Sequence, residues 1–204
     1  SFADLVLWLP IRKDEKSWPE GYIAIAQIRP TTAATVFSND LIGSTINWGS
    51  RPKIDQALSE GEIVRDTAPE LVGEIMIKEE SVPVIFEGKT LAVISRHRNA
   101  DLMRLPSKLE LNYREIAHKI FRMVAEGSFP IRNSIYNSES TPRVGDGLIR
   151  LDANGIIFFA SPNARSALSR VGYQSEIEKQ NLGEVFASLA KGNTQPTDES
   201  WQTL

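Results

Sequence analysis

Two histidines, His97 and His118, are the first residues with the chemistry for proton transfer, metal binding or phosphoryl acceptance. His118 stands in Arg114-Glu115-Ile116-Ala117-His118-Lys119-Ile120, on a helical pattern with a preceding Glu, as a phosphoacceptor box could be. The competing reading is a surface or interface histidine on a connecting helix, and no Asn-rich ATP-lid sequence accompanies His118 to act as donor site. His97 lies between Arg96 and Arg98 at an expected strand end, which suggests a solvated terminus. A haem or metal role for it would need a second ligand, and none can be nominated. Three other residues are candidates for lining a ligand pocket. Trp48 could stack on a planar ligand or be a core aromatic, and Arg65 with Asp66 could line a pocket or form an ion pair within a loop.

The remaining chemistry-bearing patterns do not assemble. Gly145-x-Gly147 is followed by a strand pattern, whereas phosphate binding wants a helix N-terminus. Gly192-Asn193 lacks the Gly-Lys-Ser/Thr of a P-loop, no serine has a nucleophile-elbow context, and the carboxylates are scattered. No catalytic residue and no metal site is nominated. With no cysteine in the chain, disulfides, cysteine-ligated zinc and iron–sulfur sites are excluded.

The chain has 204 residues, 41% hydrophobic and 24% charged, which is ordinary globular composition for one large domain or two small ones. A formal net charge of -3 argues against a nucleic-acid partner, which calls for a basic surplus. The apolar runs, such as Leu5 to Leu9, fall far short of the roughly 20 residues of a membrane span. The first residues lack a signal peptide's basic start, and the absence of Met reads as a cut or processed end of a soluble, cytoplasmic protein.

The elements that would position these residues follow from local patterns. Leu5 to Leu9, stopped by Pro10, and Tyr22 to Ile28, stopped by Pro30, predict a hairpin with a long polar tip. Pro52 to Ser59 reads as a short helix ended by Gly61. Glu74 to Phe86 and Thr90 to Arg96, joined at Glu87-Gly88-Lys89, predict a second hairpin. Ser107-x-x-Glu110 has the form of a capping box, opening a helix over 107–127. Its stripe of Leu109, Tyr113, Ile116, Ile120 and Met123 is widened by Ala117, Phe121 and Val124, and suits a neighbouring domain or a short parallel seam. Residues 128–144 read as a linker. Beyond them, Leu148 to Asp152 and Ile156 to Phe159 flank Asn154-Gly155, the strongest short hairpin signal. Ser161-Pro162 then predicts an N-cap and first turn for a helix ended by Gly172, and Leu182 to Leu189 a further short helix. The result is an α+β chain of two different halves.

Residues Asp146 to Phe186, with Leu151-Asp152-Ala153-Asn154-Gly155 at the turn and Asn163-Ala164 on the helix, resemble the first half of a PAS domain, within a unit 145–204 that stops inside it. Residues 1–100 resemble a GAF domain, on the hairpin Val82 to Ile94 and the preceding Gly61 to Asp66. Together with Phe2-Ala3-Asp4 leading to Trp8, Ala26 to Pro30, Arg122 to Pro130 and Pro142 to Gly147, the whole resembles the soluble GAF-PAS sensor histidine kinases of actinobacterial two-component systems, of the PdtaS type. The resemblance implies a GAF-like antiparallel sheet with helices, a connecting helix and a partial PAS-like α+β domain. It implies a cytoplasmic homodimer, a response-regulator partner and a small-molecule signal of unknown kind. The phosphoaccepting His and the ATP-binding domain would lie after the PAS domain, so ATP is a cofactor only of that part. Rival outputs are a phosphatase or a nucleotide cyclase, and a ligand-free dimerisation scaffold is the rival from another class.

Overall fold

The computed structural model describes residues 3–14, 17–30, 34–66, 68–72, 74–100, 107–129 and 146–192. They fall into two compact units, one within residues 1–134 and one within 135–204. The expected linker lies outside the described residues from 130 to 144, as does the C-terminal stretch from 193.

In the first unit, β1 (Asp4–Ile11) and β2 (Gly21–Ile28) form the expected antiparallel hairpin. The strand does not stop at Pro10. Pro10 sits beyond Trp8, where the pairing of β1 with β7 ends, so the missing N–H is needed on one side only. Next come β3 (Thr45–Asn47), α1 (Pro52–Glu60), β4 (Val64–Arg65) and β5 (Glu70–Val72). Helix α1 starts with Pro in its first turn and ends at Gly61, whose φ of 68° is the left-handed conformation that glycine adopts freely. The long hairpin β6 (Ile75–Phe86) and β7 (Lys89–Asn99) turns at Glu87-Gly88 as the sequence predicts. The strands form one sheet in the order β3-β2-β1-β7-β6-β4, with β5 also pairing with β6.

Strand periodicity splits this sheet into two faces. Val6, Trp8, Tyr22, Ala24 and Val93 pack with Ile54, Ala57 and Leu58 of α1. Leu5, Val82, Val84 and Ile94 pack on the other face against α2 (Lys108–Ala125), mainly on Phe121 and Val124. Ser107 caps α2 by accepting a hydrogen bond from the Glu110 amide. The C-terminal, widened part of the apolar stripe seen in the sequence meets the sheet, while its N-terminal end does not. Ala117, Ile120, Phe121, Val124 and Ala125 make the contact, and Leu109 is 40% exposed.

The second unit contains β8 (Ile149–Leu151), β9 (Ile157–Ala160), α3 (Pro162–Arg170) and α4 (Leu182–Gly192). Asp152 closes the β8–β9 turn by accepting from the amides of Asn154 and Ile156. Ile157, Ala160, Ala164, Leu168, Ile177 and Val185 form its core. Gly147 is needed for close approach, since a Cβ there would stand 2.5 Å from the Cα of Ala164. Ser161 is buried, and its hydroxyl accepts from the amides of Ala164 and Leu148, which joins the α3 cap to the start of β8. Ser161→Ala is expected to lower stability by about 1.5 kcal/mol through the lost cap and the buried Leu148 amide. Hydrogen exchange should then quicken in residues 146–170 and stay unchanged in 3–100.

Candidate functional site

The α1-side face of the first sheet carries a polar row that a hydrophobic core would not contain. Cross-strand register places Asp4, His97 and Glu79 side by side on β1, β7 and β6, and in the next row Gln27, Val6, Ser95 and Ser81 on β2, β1, β7 and β6. Asp4, Ser81 and Ser95 are fully buried and His97 is 5% exposed. The indole of Trp8 donates to Ser95 Oγ at 2.8 Å, and His97 Nε2 lies 3.0 Å from the same oxygen. Because an indole can only donate, the Ser95 hydroxyl hydrogen is free to complete a pair with a neutral imidazole. Burial, reinforced by the charges of Arg51 and Lys53, pulls the His97 pKa down to about 4.

The segment 34–37 covers this end of the face. Asp4 accepts from Thr35 Oγ1 at 2.7 Å and from the Val36 amide at 2.8 Å, and the Phe37 ring stands edge-on to His97 with centroids 4.9 Å apart. Arg29 donates to the Phe37 carbonyl and pairs with Asp40, holding the segment from the β2 end. His97 is therefore an interior residue. The expected solvated terminus is wrong because the strand end is roofed by this segment.

The N-terminus of α1 supplies the cations of the site. Lys53 Nζ is 2.7 Å from Asp66 and 3.8 Å from Glu79 Oε2, and Arg51 reaches that same oxygen at 4.0 Å. Burial pulls the Lys53 pKa down, but the Asp66 hydrogen bond and the Glu79 charge outweigh it, and the pKa is raised overall. For Glu79, burial outweighs the two cations and pushes the carboxyl up. Three buried side-chain atoms on this face, Gln27 Nε2, Glu79 Oε1 and Ser81 Oγ, have no hydrogen-bond partner among the described residues. Buried polar groups without partners are uncommon, and three on one face set it apart from an ordinary apolar core.

The sequence-nominated residues are not brought together. Asp66 joins this cluster through Lys53 and the Glu79 amide. Arg65 points to the opposite face, where Nε donates to Glu80 at 2.6 Å and Nη2 lies 3.2 Å from His118 Nδ1. The two are consecutive residues at a strand end, so they diverge and form no ion pair with each other. Trp48 lies elsewhere, half-buried between Trp18 and Tyr22, with ring centroids at 4.9 and 6.0 Å. It packs, partly buried, against the α1-side core. Asp55 anchors that end, accepting from Tyr22 Oη and the Gly49 amide, and the Tyr22 phenol is pushed up by burial first and the Asp55 bond second. His118 is exposed on α2, in line with the surface reading, and no group of His, Asp and Glu among the described residues is arranged to hold a metal ion.

Sequence reading missed Asp4, Glu79, Ser81 and Ser95. One signal was available: Glu79-Glu80 is an acidic pair inside a predicted strand, and period two must send one of the two inward.

An antiparallel sheet with helices on both faces and a roofed polar patch on one of them defines a sensory domain of the GAF class. The family model described as the GAF domain of histidine kinase PdtaS matches residues 1–117. The chain belongs to that family, and the match places a GAF domain over most of its first unit. It is 38% identical over 192 residues to sensor histidine kinase PdtaS of Mycolicibacterium smegmatis, covering 93% of this chain and 37% of that protein. The same-named protein of Mycobacterium tuberculosis is 37% identical over 193 residues, with the same coverage. A solved sensor region of a sensor histidine kinase matches with a TM-score of 0.66 at 32% identity, covering 95% of this chain and 66% of that one. The chain thus spans 37% of the length of the curated relatives. No helix among the described residues is long and apolar enough to cross a membrane.

Proposed function

We propose that this chain is the signal-input region of a cytoplasmic, homodimeric two-component kinase, and that the α1-side polar face receives a small-molecule signal. The observation that carries the reading is likeness to the PdtaS relatives along 93% of the chain. In that reading, residues 1–100 sense, the helix over 107–127 passes the change onward, 128–144 link, and 145–204 begin a PAS-like domain. A kinase module then moves phosphate from ATP to a histidine and on to an aspartate of a response regulator. The signal acts by shifting populations between packings of the sensory region. The three unpartnered polar atoms on the α1-side face support a ligand that makes hydrogen bonds rather than one that only fills space.

The whole protein incubated with labelled ATP should become labelled on a histidine outside these 204 residues and pass the label to a response regulator. This chain alone should take up none, and labelling at His97 or His118 would overturn the assignment. Melting the chain against cyclic nucleotides, flavin, haem and metal ions tests the ligand: one present at a hundredfold over its Kd stabilises by about 2.7 kcal/mol. A dimer unmoved by the whole panel would favour the scaffold reading.

A further inference from the structure

The two faces of the sheet are joined at its β4 edge by a construction that the sensory reading does not require. We propose that β4 is a latch that couples the ion cluster at the N-terminus of α1 to helix α2. The backbone hold on β4 is minimal: it pairs with β6 only at Val64–Ser81 and Arg65–Glu80, at the outer end of the sheet. One further backbone bond, from the Asp66 amide to the Glu79 carbonyl at 3.1 Å, follows the strand, and side chains on the two opposite faces supply the rest of the hold. On the α1 side, Asp66 is held by Lys53 and accepts from the Glu79 amide at 2.6 Å. On the α2 side, the neighbouring Arg65 is divided between Glu80 and His118. Glu80 also receives Arg96 at 3.1 Å, whose guanidinium lies 5.6 Å from the Phe121 ring centroid on α2. Its carboxyl is held below the usual range because the two arginine bonds outweigh burial.

Adjacent residues on a strand cannot move independently. A displacement of Asp66 and Glu79 carries Arg65 and Glu80 with it, and these two reach α2 by two routes, one through His118 and one through Arg96 and Phe121. There is also room for the movement. A groove of about 440 Å³ lies between Gly61–Arg65 and the His118–Glu126 stretch of α2, so apart from Ile63, which packs with Phe121 and Val124, this edge is open toward α2. Short edge elements held by few backbone bonds open at low cost, which suits a part that must move. The coupling takes its use from the input reading but is a property of this chain without ATP. Failure of the kinase test would leave it standing, and its own failure would leave the kinase reading standing.

Hydrogen exchange on the chain tests the latch from both ends. Lys53→Met removes the cation that holds Asp66 and should speed exchange at residues 62–66 and 115–122 by about three- to tenfold, the size expected of coupled polar networks. In an Arg65→Met background the same change should still speed 62–66 but reach 115–122 with at least half of its effect lost, since only the Arg96 route remains. Coupling is reciprocal, so the exposed-site variant His118→Leu, which carries little folding risk, should quicken exchange at 52–56 and 62–66. The latch is overturned if Lys53→Met leaves 62–66 or 115–122 unchanged. It is equally overturned if the effect on α2 is undiminished by Arg65→Met, or if His118→Leu alters nothing before residue 67.

Discussion

Replacing His97 by Gln flattens the acid side of the stability profile. The imidazole is 5% exposed and its pKa falls from 6.5 unfolded to about 4 folded. On unfolding below pH 6.5 the ring takes up a proton that the native site refuses, so the unfolded state binds more protons and stability falls with falling pH. The loss begins near pH 6.5 and is complete below about 4. At 1.36 kcal/mol per pKa unit, the depression corresponds to roughly 3 kcal/mol across that window. Glu79 acts with the opposite sign. Its folded pKa is raised, so its contribution is fully present at low pH and is lost as pH rises through the folded value. Other shifted groups add to the native profile, among them Glu80, whose lowered pKa gives a contribution lost at low pH, and the difference between the native chain and His97→Gln isolates the histidine. Glutamine can keep a hydrogen bond to Ser95, so the variant should fold. Urea midpoints from pH 4 to 7.5 measure the difference, and parallel profiles would refute a buried neutral His97.

The contrast between His97 and His118 illustrates what one dimension can carry. Both stood beside basic residues, yet one is interior and the other exposed. The elements themselves were readable wherever the signal was local: Pro52 and Gly61 bounding α1, Glu87-Gly88 turning the long hairpin, Ser107 capping α2, Asn154-Gly155 turning the second unit. Strands β3, β4 and β5, of three, two and three residues, are too short for a period to appear and exist because β2 and β6 offer them edges. The polar face was hidden for a related reason. It is assembled from β1, β2, β6 and β7, and the Asp4–His97 pair spans 93 positions, a separation that no spacing rule covers. Asn181 shows the same limit, since nothing in its local sequence marks its role. In the structure its side chain donates to the Asn154 carbonyl and accepts from the Gly183 amide, tying the α4 start to the β8–β9 turn.

Asp4→Ala tests the roof of the polar face, and the expected loss is about 3 kcal/mol. The carboxylate is fully buried on β1 and accepts from Thr35 Oγ1 and the Val36 amide, two hydrogen bonds to a charged acceptor. Bonds of that kind each contribute about 1.5–3 kcal/mol, and part of the loss is recovered when the freed donors reach water. Recovery requires the 34–37 segment to lift, which takes Phe37 off the His97 ring and admits solvent to the polar row. The His97 pKa should therefore climb from about 4 back toward 6.5 in this variant, a change that a purely local loss of bonding would not produce. Asp4→Asn separates charge from shape. Its oxygen can still accept from Thr35, but its amide then faces the Val36 N–H, donor against donor, so most of the loss should remain. If Asp4→Ala does not fold, Thr35→Val removes one of the two bonds, with an expected cost of about 1 kcal/mol. Urea unfolding at pH 7 gives the first quantity, and an NMR titration of the His97 ring gives the second. A cost below 1 kcal/mol, or a His97 titration unmoved by the loss of Asp4, would show that the roof is held by Arg29 and Phe37 instead. In that case the hold on the segment lies at its β2 end, where Arg29 meets Asp40.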